Sequence, residues 1–238
     1  MIAPASWIQS TIRKVAGKCS RKIIAVDFGS SHIKILYAED CFGRVRLLRH
    51  HVMDLQEEGL LSADEVNRHL RDWAGEIGEE PVALVLAQHL SLAHIIDLPR
   101  ASQKDMRAMI QRDTVNFSGL SETSTVSDYR RLRPFGKVQN PYWVGIAKEQ
   151  EVQKLLGRLG SEESRSPVCD VVSAATALAA AFLAQEPGAD RVVLADLGAT
   201  STVVAILDQG QCIYTSSYPI GSESFERASI QEAPLTRR

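Results

Sequence analysis

Most of the local signatures of enzyme chemistry are missing from this sequence. Its 238 residues contain no Gly-x-x-x-x-Gly-Lys-Ser/Thr loop, no Gly-x-Gly-x-x-Gly opening a helix, no His-Glu-x-x-His pair and no Gly-x-Ser-x-Gly elbow. P-loop, dinucleotide, zinc-protease and α/β-hydrolase readings therefore have nothing to stand on. Cysteine is scarce: Cys19, Cys41, Cys169 and Cys212 are widely spaced, with no Cys-x-x-Cys, so free thiols in a reducing compartment are expected rather than a disulfide framework or a metal site. His50 and His51 lack a partner at metal-ligand spacing. No apolar run approaches the ~20 residues that span a bilayer. The longest candidate, 171–183, is alanine-rich, broken by Ser173 and Thr176, and reads as a buried helix. An excess of one charge is missing too: the formal net charge of −2 offers no concentrated basic surface for nucleic acid. What is present, 45% hydrophobic residues, is an ordinary globular composition, enough for one large domain or two small ones.

The informative stretch is 22–36. An apolar strand (Ile23, Ile24, Ala25, Val26) runs into Asp27, a Gly29-Ser30-Ser31 turn follows, and a second strand leaves through Ile33, Lys34, Ile35 and Leu36. Two β-runs split by a short glycine-containing loop signal a hairpin, and a glycine without Cβ lets backbone N–H groups approach an anion. A second copy stands at 192–207. Laying Asp27 on Asp196 puts Gly29 on Gly198, Ser30 and Ser31 on Ala199 and Thr200, and Ile35 on Val204, without a gap. Each copy continues into a further strand, so each opens a β-meander, and two meanders imply two related lobes. Facing turns of this kind would grip a phosphate chain from both sides, with a carboxylate on each for a hydrated metal.

The remainder divides by hydrophobic pattern. Strand material at 44–55 is followed by a helix that starts at Ser62, with Glu65 at capping-box spacing and Val66, Leu70, Trp73 and Ile77 recurring at helical intervals. The run at 82–86 reads as a strand buried on both faces. Strands are expected at 92–98, 126–132 and 142–147, helices at 102–114 and 149–159, a turn-rich loop at 133–141, then a strand at 167–172 and an alanine-rich helix at 173–182. The second meander takes 192–195, 202–207 and 212–218, and residues 232–238 show no periodicity. Residues 1–21 carry Arg13, Lys14, Lys18 and Arg21 without an acidic residue, and Trp7, Ile8, Ile12 and Val15 fall near one helical face. That leader reads either as a mobile or protein-docked segment or as an amphipathic helix against anionic lipid; it lacks the pattern of a secretory signal.

Asp-x-Gly-Ser-Ser-x-x-Lys from Asp27 and Asp-x-Gly-x-Thr-x-Thr from Asp196 resemble the two phosphate motifs of the actin-like ATPases. Ile95-Ile96-Asp97-Leu98-Pro99, a polar helix start with Met106 and Ile110, and Val144-Gly145-Ile146-Ala147-Lys148-Glu149 are similar, in that order, to the PilM branch of type IV pilus assembly, whose well-known relative is FtsA. The resemblance runs from about residue 23 to about residue 225. It implies an α/β fold: an actin-like (ribonuclease H-like) first lobe, a small inserted α+β subdomain and a partial second lobe. The corresponding segments are a leader at 1–21, first lobe at 22–84, insert at 85–165, first-lobe strand and crossover helix at 166–187, and an incomplete second lobe at 188–238. The resemblance further implies ATP and Mg2+, held by Asp27, Gly29, Ser30, Ser31, Lys34, Asp196, Gly198, Thr200 and Thr202, with Asp27 and Asp196 on the metal through water. The residues alone leave alternatives: Asp27 also fits a turn aspartate bonding its own backbone, Lys34 could face solvent, and the hydroxyl residues are common in turns.

By the same resemblance the protein would be a cytoplasmic scaffold at the inner face of the inner membrane, a nucleotide-binding scaffold more than an enzyme, with weak ATPase activity if the cleft is completed. Its partner would be the N-terminal tail of a PilN-type inner-membrane protein, received in a groove built from about 84–98 and 144–147, with self-association a further possibility. The glycine-containing adenosine turn of the family has no counterpart in 221–238. The alternatives are an ATPase or phosphotransferase of the same superfold, for which Asp170 is the candidate acid, and an FtsA-like or secretion-system docking protein.

Overall fold

A computed structural model describes residues 21–41, 44–55, 68, 72–73, 80–99, 101–118, 124–157 and 168–232. The leader and most of the helix expected to start at Ser62 lie outside the described residues; of that helix, Arg68, Asp72 and Trp73 are described and helical.

The first hairpin grows into a five-stranded sheet. Strands β1 (Arg21–Phe28), β2 (His32–Cys41) and β3 (Arg44–Asp54) form an antiparallel meander. β4 (Val82–Leu86) then lies parallel to β1, and β8 (Val168–Ser173) parallel to β4, giving the order β3-β2-β1-β4-β8. Ile24, Val26, Ile33, Ile35 and Leu84 alternate onto one face and are buried, each contributing about 1.5–3 kcal/mol of apolar transfer. The expectation that β4 is buried on both faces is corrected in part: Val82, Leu84 and Leu86 are buried, whereas Ala83 and Val85 are half-covered.

Between β4 and β8 the chain builds a second unit. β5 (Ser91–Asp97), β6 (Thr125–Arg131) and β7 (Pro141–Lys148) form a three-stranded antiparallel sheet in the order β5-β7-β6. Helix α1 (Gln103–Ser118) covers one face, burying Met106 and Ile110 against Val144 and Ile146. Ser102 opens α1 by accepting the Asp105 N–H at 3.2 Å, and the helix runs past residue 114, where the periodicity placed its end. Helix α2 (Glu149–Gly157), which falls inside the segment 85–165, packs elsewhere: its Leu155 is buried in the core of the five-stranded sheet.

The second copy forms its own meander, β9 (Arg191–Leu197), β10 (Thr202–Asp208) and β11 (Gln211–Tyr218). Its β10–β11 turn has both central residues, Gln209 (φ 48°) and Gly210 (φ 71°), in the left-handed region, the geometry that matches strand twist in tight hairpins. Helix α3 (Ala174–Gln185) joins the two sheets. Ser173 caps it, accepting the Thr176 N–H at 3.3 Å, and Ala175, Ala179 and Leu183 pack against Val203, Ala205 and Leu207. Small side chains on α3 let the helix sit close to the second sheet. A last helix, α4 (Ser222–Glu232), was not expected from the pattern of 221–238.

Candidate functional site

The two turns of the internal repeat are superimposable in their pairing. In the first, Asp27, one residue before the end of β1, lies opposite Lys34; in the second, Asp196 lies opposite Val203, at the matching position. Gly29 needs its missing side chain, because a Cβ there would come within 2.6 Å of the His32 carbonyl oxygen, and at Gly198 the matching contact is Ser201 O at 3.0 Å. Both are close approaches of backbone to backbone across a turn. The lysine position is where the copies differ, since β10 carries an apolar residue there.

The tertiary structure brings the turns into contact. Thr200 Oγ1 donates to Ser30 Oγ at 3.0 Å. Lys34 Nζ stands 3.7 Å from Asp27 Oδ2. Burial raises the pKa of Asp27 above the ordinary carboxylate value; Lys34 opposes that shift and the charge of Asp196 adds to it. The carboxylates of the two turns thus lie near enough for Asp196 to act on Asp27, an arrangement that a hydrated divalent cation would relieve. Of the other hydroxyl groups, Ser31 is hydrogen-bonded to His32 Nδ1 at 2.8 Å, and Thr202 donates to the Ile220 carbonyl at 2.6 Å. The residues expected from the sequence are therefore together, with Ser30 and Thr200 at the contact and Thr202 turned toward the start of α4.

Helix α4 supplies a feature that the sequence reading missed. Ser222 N–H donates to Gly198 O at 2.9 Å and Glu223 N–H to Ala199 O at 3.0 Å, so the second turn is latched to the first residues of the helix. Gln88 was missed as well. It is buried, accepts the Ala175 N–H at 3.0 Å and donates to Thr215 Oγ1 at 3.5 Å, tying the loop after β4 to α3 and β11. Asp170 does not join the turns. Burial raises its pKa, and the carboxylate that adds to the shift is Asp128 of β6.

A cavity of about 240 Å3 lies between the five-stranded sheet and the inserted one. The register across the inserted sheet explains it. Because Val144 and Ile146 pack on α1, Trp143, Gly145 and Ala147 face the cavity, and cross-strand rows floor it: Ser91–Ala147–Val126, Ala93–Gly145–Asp128 and, beyond them, the pair Trp143–Arg130. The middle row has almost no side-chain volume on two of its three strands, so the floor is a trough. Five consecutive residues of β6 (Val126 to Arg130) and three of β8 (Val171 to Ser173) line the space. Neighbours on a strand point to opposite faces, so lining by consecutive residues means that the cavity follows strand edges. β6 and β8 are the edge strands of their sheets. Leu86, Leu92 and Val152 complete an apolar wall. The segments 84–98 and 144–147, expected to form a groove, both contribute to it.

Cys212 is a free, buried thiol, and burial pushes its pKa up to about 11. Among the described residues no group of three or more His, Cys, Asp and Glu side chains is placed to hold a metal ion by itself, and no helix is long and apolar enough to cross a membrane.

No protein-family model matches the chain, and no curated protein matches it. Among solved structures it is similar to a chain of a PilM-PilN type IV pilus biogenesis complex, with TM-score 0.70 and 18% identity, over 90% of this chain and 66% of that one. It therefore spans just under two thirds of that chain's length. A second likeness is to the cytoplasmic domain of EpsL, an inner membrane component of the type II secretion system of Vibrio cholerae, with TM-score 0.55, 11% identity, and coverage of 83% of this chain and 71% of that one. At these identities the likeness is one of fold. Together with the strand order and the duplicated meander, it gives the chain an actin-like α/β fold.

Proposed function

We propose that this actin-like chain is a cytoplasmic scaffold, working at the inner face of the inner membrane, whose groove between the two sheets receives the N-terminal cytoplasmic tail of a PilN-type membrane protein. The observation that carries this reading is the groove: an apolar trough running along two strands that are terminal in their sheets among the described residues offers main-chain hydrogen bonds together with a side-chain pocket, the means by which sheets capture extended peptides. The likeness to a PilM-PilN complex supports the choice of partner. The likeness to a secretion-system component keeps a related membrane protein as the alternative partner.

The test uses the position that makes the trough. A Cβ on Gly145 would meet only the Asp128 carbonyl oxygen, at 3.9 Å, so Gly145→Trp fills the groove without forcing the strand apart. Fluorescence anisotropy with the labelled tail peptide should give binding to the native chain and a loss of at least tenfold in Gly145→Trp. Equal binding by both proteins would overturn the reading.

A second reading, compatible with the first, is that Mg2+-ATP binds between the turns. The approach of Asp27 and Asp196 supports it. In this arrangement Lys34, the turn at Gly29 and the hydroxyls of Ser30, Ser31 and Thr200 would hold phosphate oxygens, Gly198 and Thr202 would join only by giving up their bonds to the Ser201 and Ile220 carbonyls, and the two carboxylates would hold the metal through water. The bound ion would supply charge neutralisation for the phosphates. Opening the Thr200–Ser30 hydrogen bond is the structural cost of entry. Calorimetric titration of Mg2+-ATP into the native chain and Asp196→Ala decides it. Heat lost in the variant supports the site, and a silent titration of the folded native protein rejects it.

A further inference from the structure

The groove is apolar apart from a few hydroxyls and two charged side chains, Asp128 and Arg130, which lie two residues apart on β6 and so share a face. The Asp128 carboxylate accepts the Tyr129 N–H at 2.8 Å. Arg130 is the unusual one. Half-buried at the end of the trough and opposite Trp143, its guanidinium has no hydrogen-bond or ion-pair partner among the described residues. Burial lowers its pKa, and the ionisable group that favours its charge is the Cys212 thiol. That thiol stays protonated at neutral pH, since its own pKa is pushed up to about 11. Arg130 therefore carries its charge into a partly dry site where none of the described residues supplies an anion to meet it. A desolvated guanidinium without a counter-charge is costly to a folded protein, and its planar fork is suited to a carboxylate.

We propose that Arg130 binds a carboxylate of the docked segment, so that an Asp or Glu at one position of the tail decides which tails the groove accepts. This inference rests on the reading of the groove as a peptide site. A segment lying as a strand along the open edge of β6 puts alternate side chains over the floor. One of them stands beside Asp128 in the row of the trough, and only a bulky apolar group there reaches across β6 into the space over Gly145. The residue two positions away then faces the row that ends in Arg130. The recognised pattern is a large apolar residue and an acidic residue separated by one.

The probe is a synthetic array of the N-terminal tail of the PilN-type protein from the same genome. Each position is replaced in turn by Asp, Asn and Lys, and the array is read with the native full-length chain, Arg130→Gln, Arg130→Glu and Gly145→Trp. The native chain should show one position at which Asp binds about tenfold tighter than Asn or Lys, the scale of one charge-assisted contact. Arg130→Gln should lose that preference while still binding the tail, and Arg130→Glu should prefer Lys at the same position. Such a reversal cannot come from misfolding. If Gly145→Trp abolishes binding but no position prefers Asp, or the preference survives in Arg130→Glu, the role of Arg130 is overturned and the groove reading stands. Absence of binding to the native chain, or binding indifferent to Gly145→Trp, overturns both.

Discussion

Asp27 is where the sequence motif and the physics of the fold meet. Its raised pKa comes first from burial and then from Asp196, with Lys34 opposing. The folded state thus holds the proton more tightly than the unfolded chain does. For a carboxylic acid in that position the native state is penalised above the raised pKa, and the penalty disappears once pH falls below the ordinary carboxylate value. Asp27→Asn should therefore raise the thermal midpoint at pH 7, and the advantage should shrink as pH drops through the carboxylate range. Thermal denaturation of both proteins between pH 3 and pH 8 checks this. A variant less stable at pH 7 would mean that the Lys34 pair outweighs burial. The position of Asp27 at a strand end was legible in the sequence, because hairpin and glycine signals are local. The shift was not, since Asp196 reaches Asp27 only after the second lobe has folded against the first.

Among the elements, the latch between α4 and the second turn depends on Gly221. A Cβ at that position would lie 2.2 Å from the Ala199 carbonyl oxygen, against 3.0 Å for the contact at Gly198, while a Cβ on Gly188 meets nothing within 4 Å. The order of damage from substitution by alanine should follow: Gly221→Ala worst, at roughly 1–3 kcal/mol, Gly198→Ala smaller, Gly188→Ala near neutral. Urea denaturation of the three variants tests the order, and the inference fails if Gly188→Ala is as damaging as Gly221→Ala. The strands were readable because alternation and β-branched runs mark them, and the starts of α1 and α2 were placed to within a residue. Helix α4 escaped because it buries little: Phe225 is 58% exposed, so no apolar stripe repeats at helical spacing. Its start is set by carbonyl groups of Gly198 and Ala199 far away in the chain.

At the scale of the molecule, α3 and Gln88 couple the two meanders. Ala175 and Ala179 hold α3 against β10, and Gln88 bonds both the first turn of α3 and β11. Trp73 sits in the core of the first sheet and Trp143 in the cluster around α3. A single unfolding transition is therefore expected, with tryptophan fluorescence and far-ultraviolet circular dichroism coinciding. Ala179→Leu should overpack the α3 interface, cost about 1–3 kcal/mol and shift both probes together. Two separated transitions would mean that the lobes fold independently.

The duplicated meander and its glycine turns were written in the sequence by itself, because each rests on residue types at fixed local spacing, and the resemblance of the two turn motifs carried the expectation of an actin-like class; the strand order was not. The groove, the isolation of Arg130, the approach of Asp27 to Asp196 and the latch of α4 were decided only by the tertiary structure. Each arises from groups distant in the chain, and what they do depends on solvent exclusion and charge across gaps that exist only once both sheets are packed about α3.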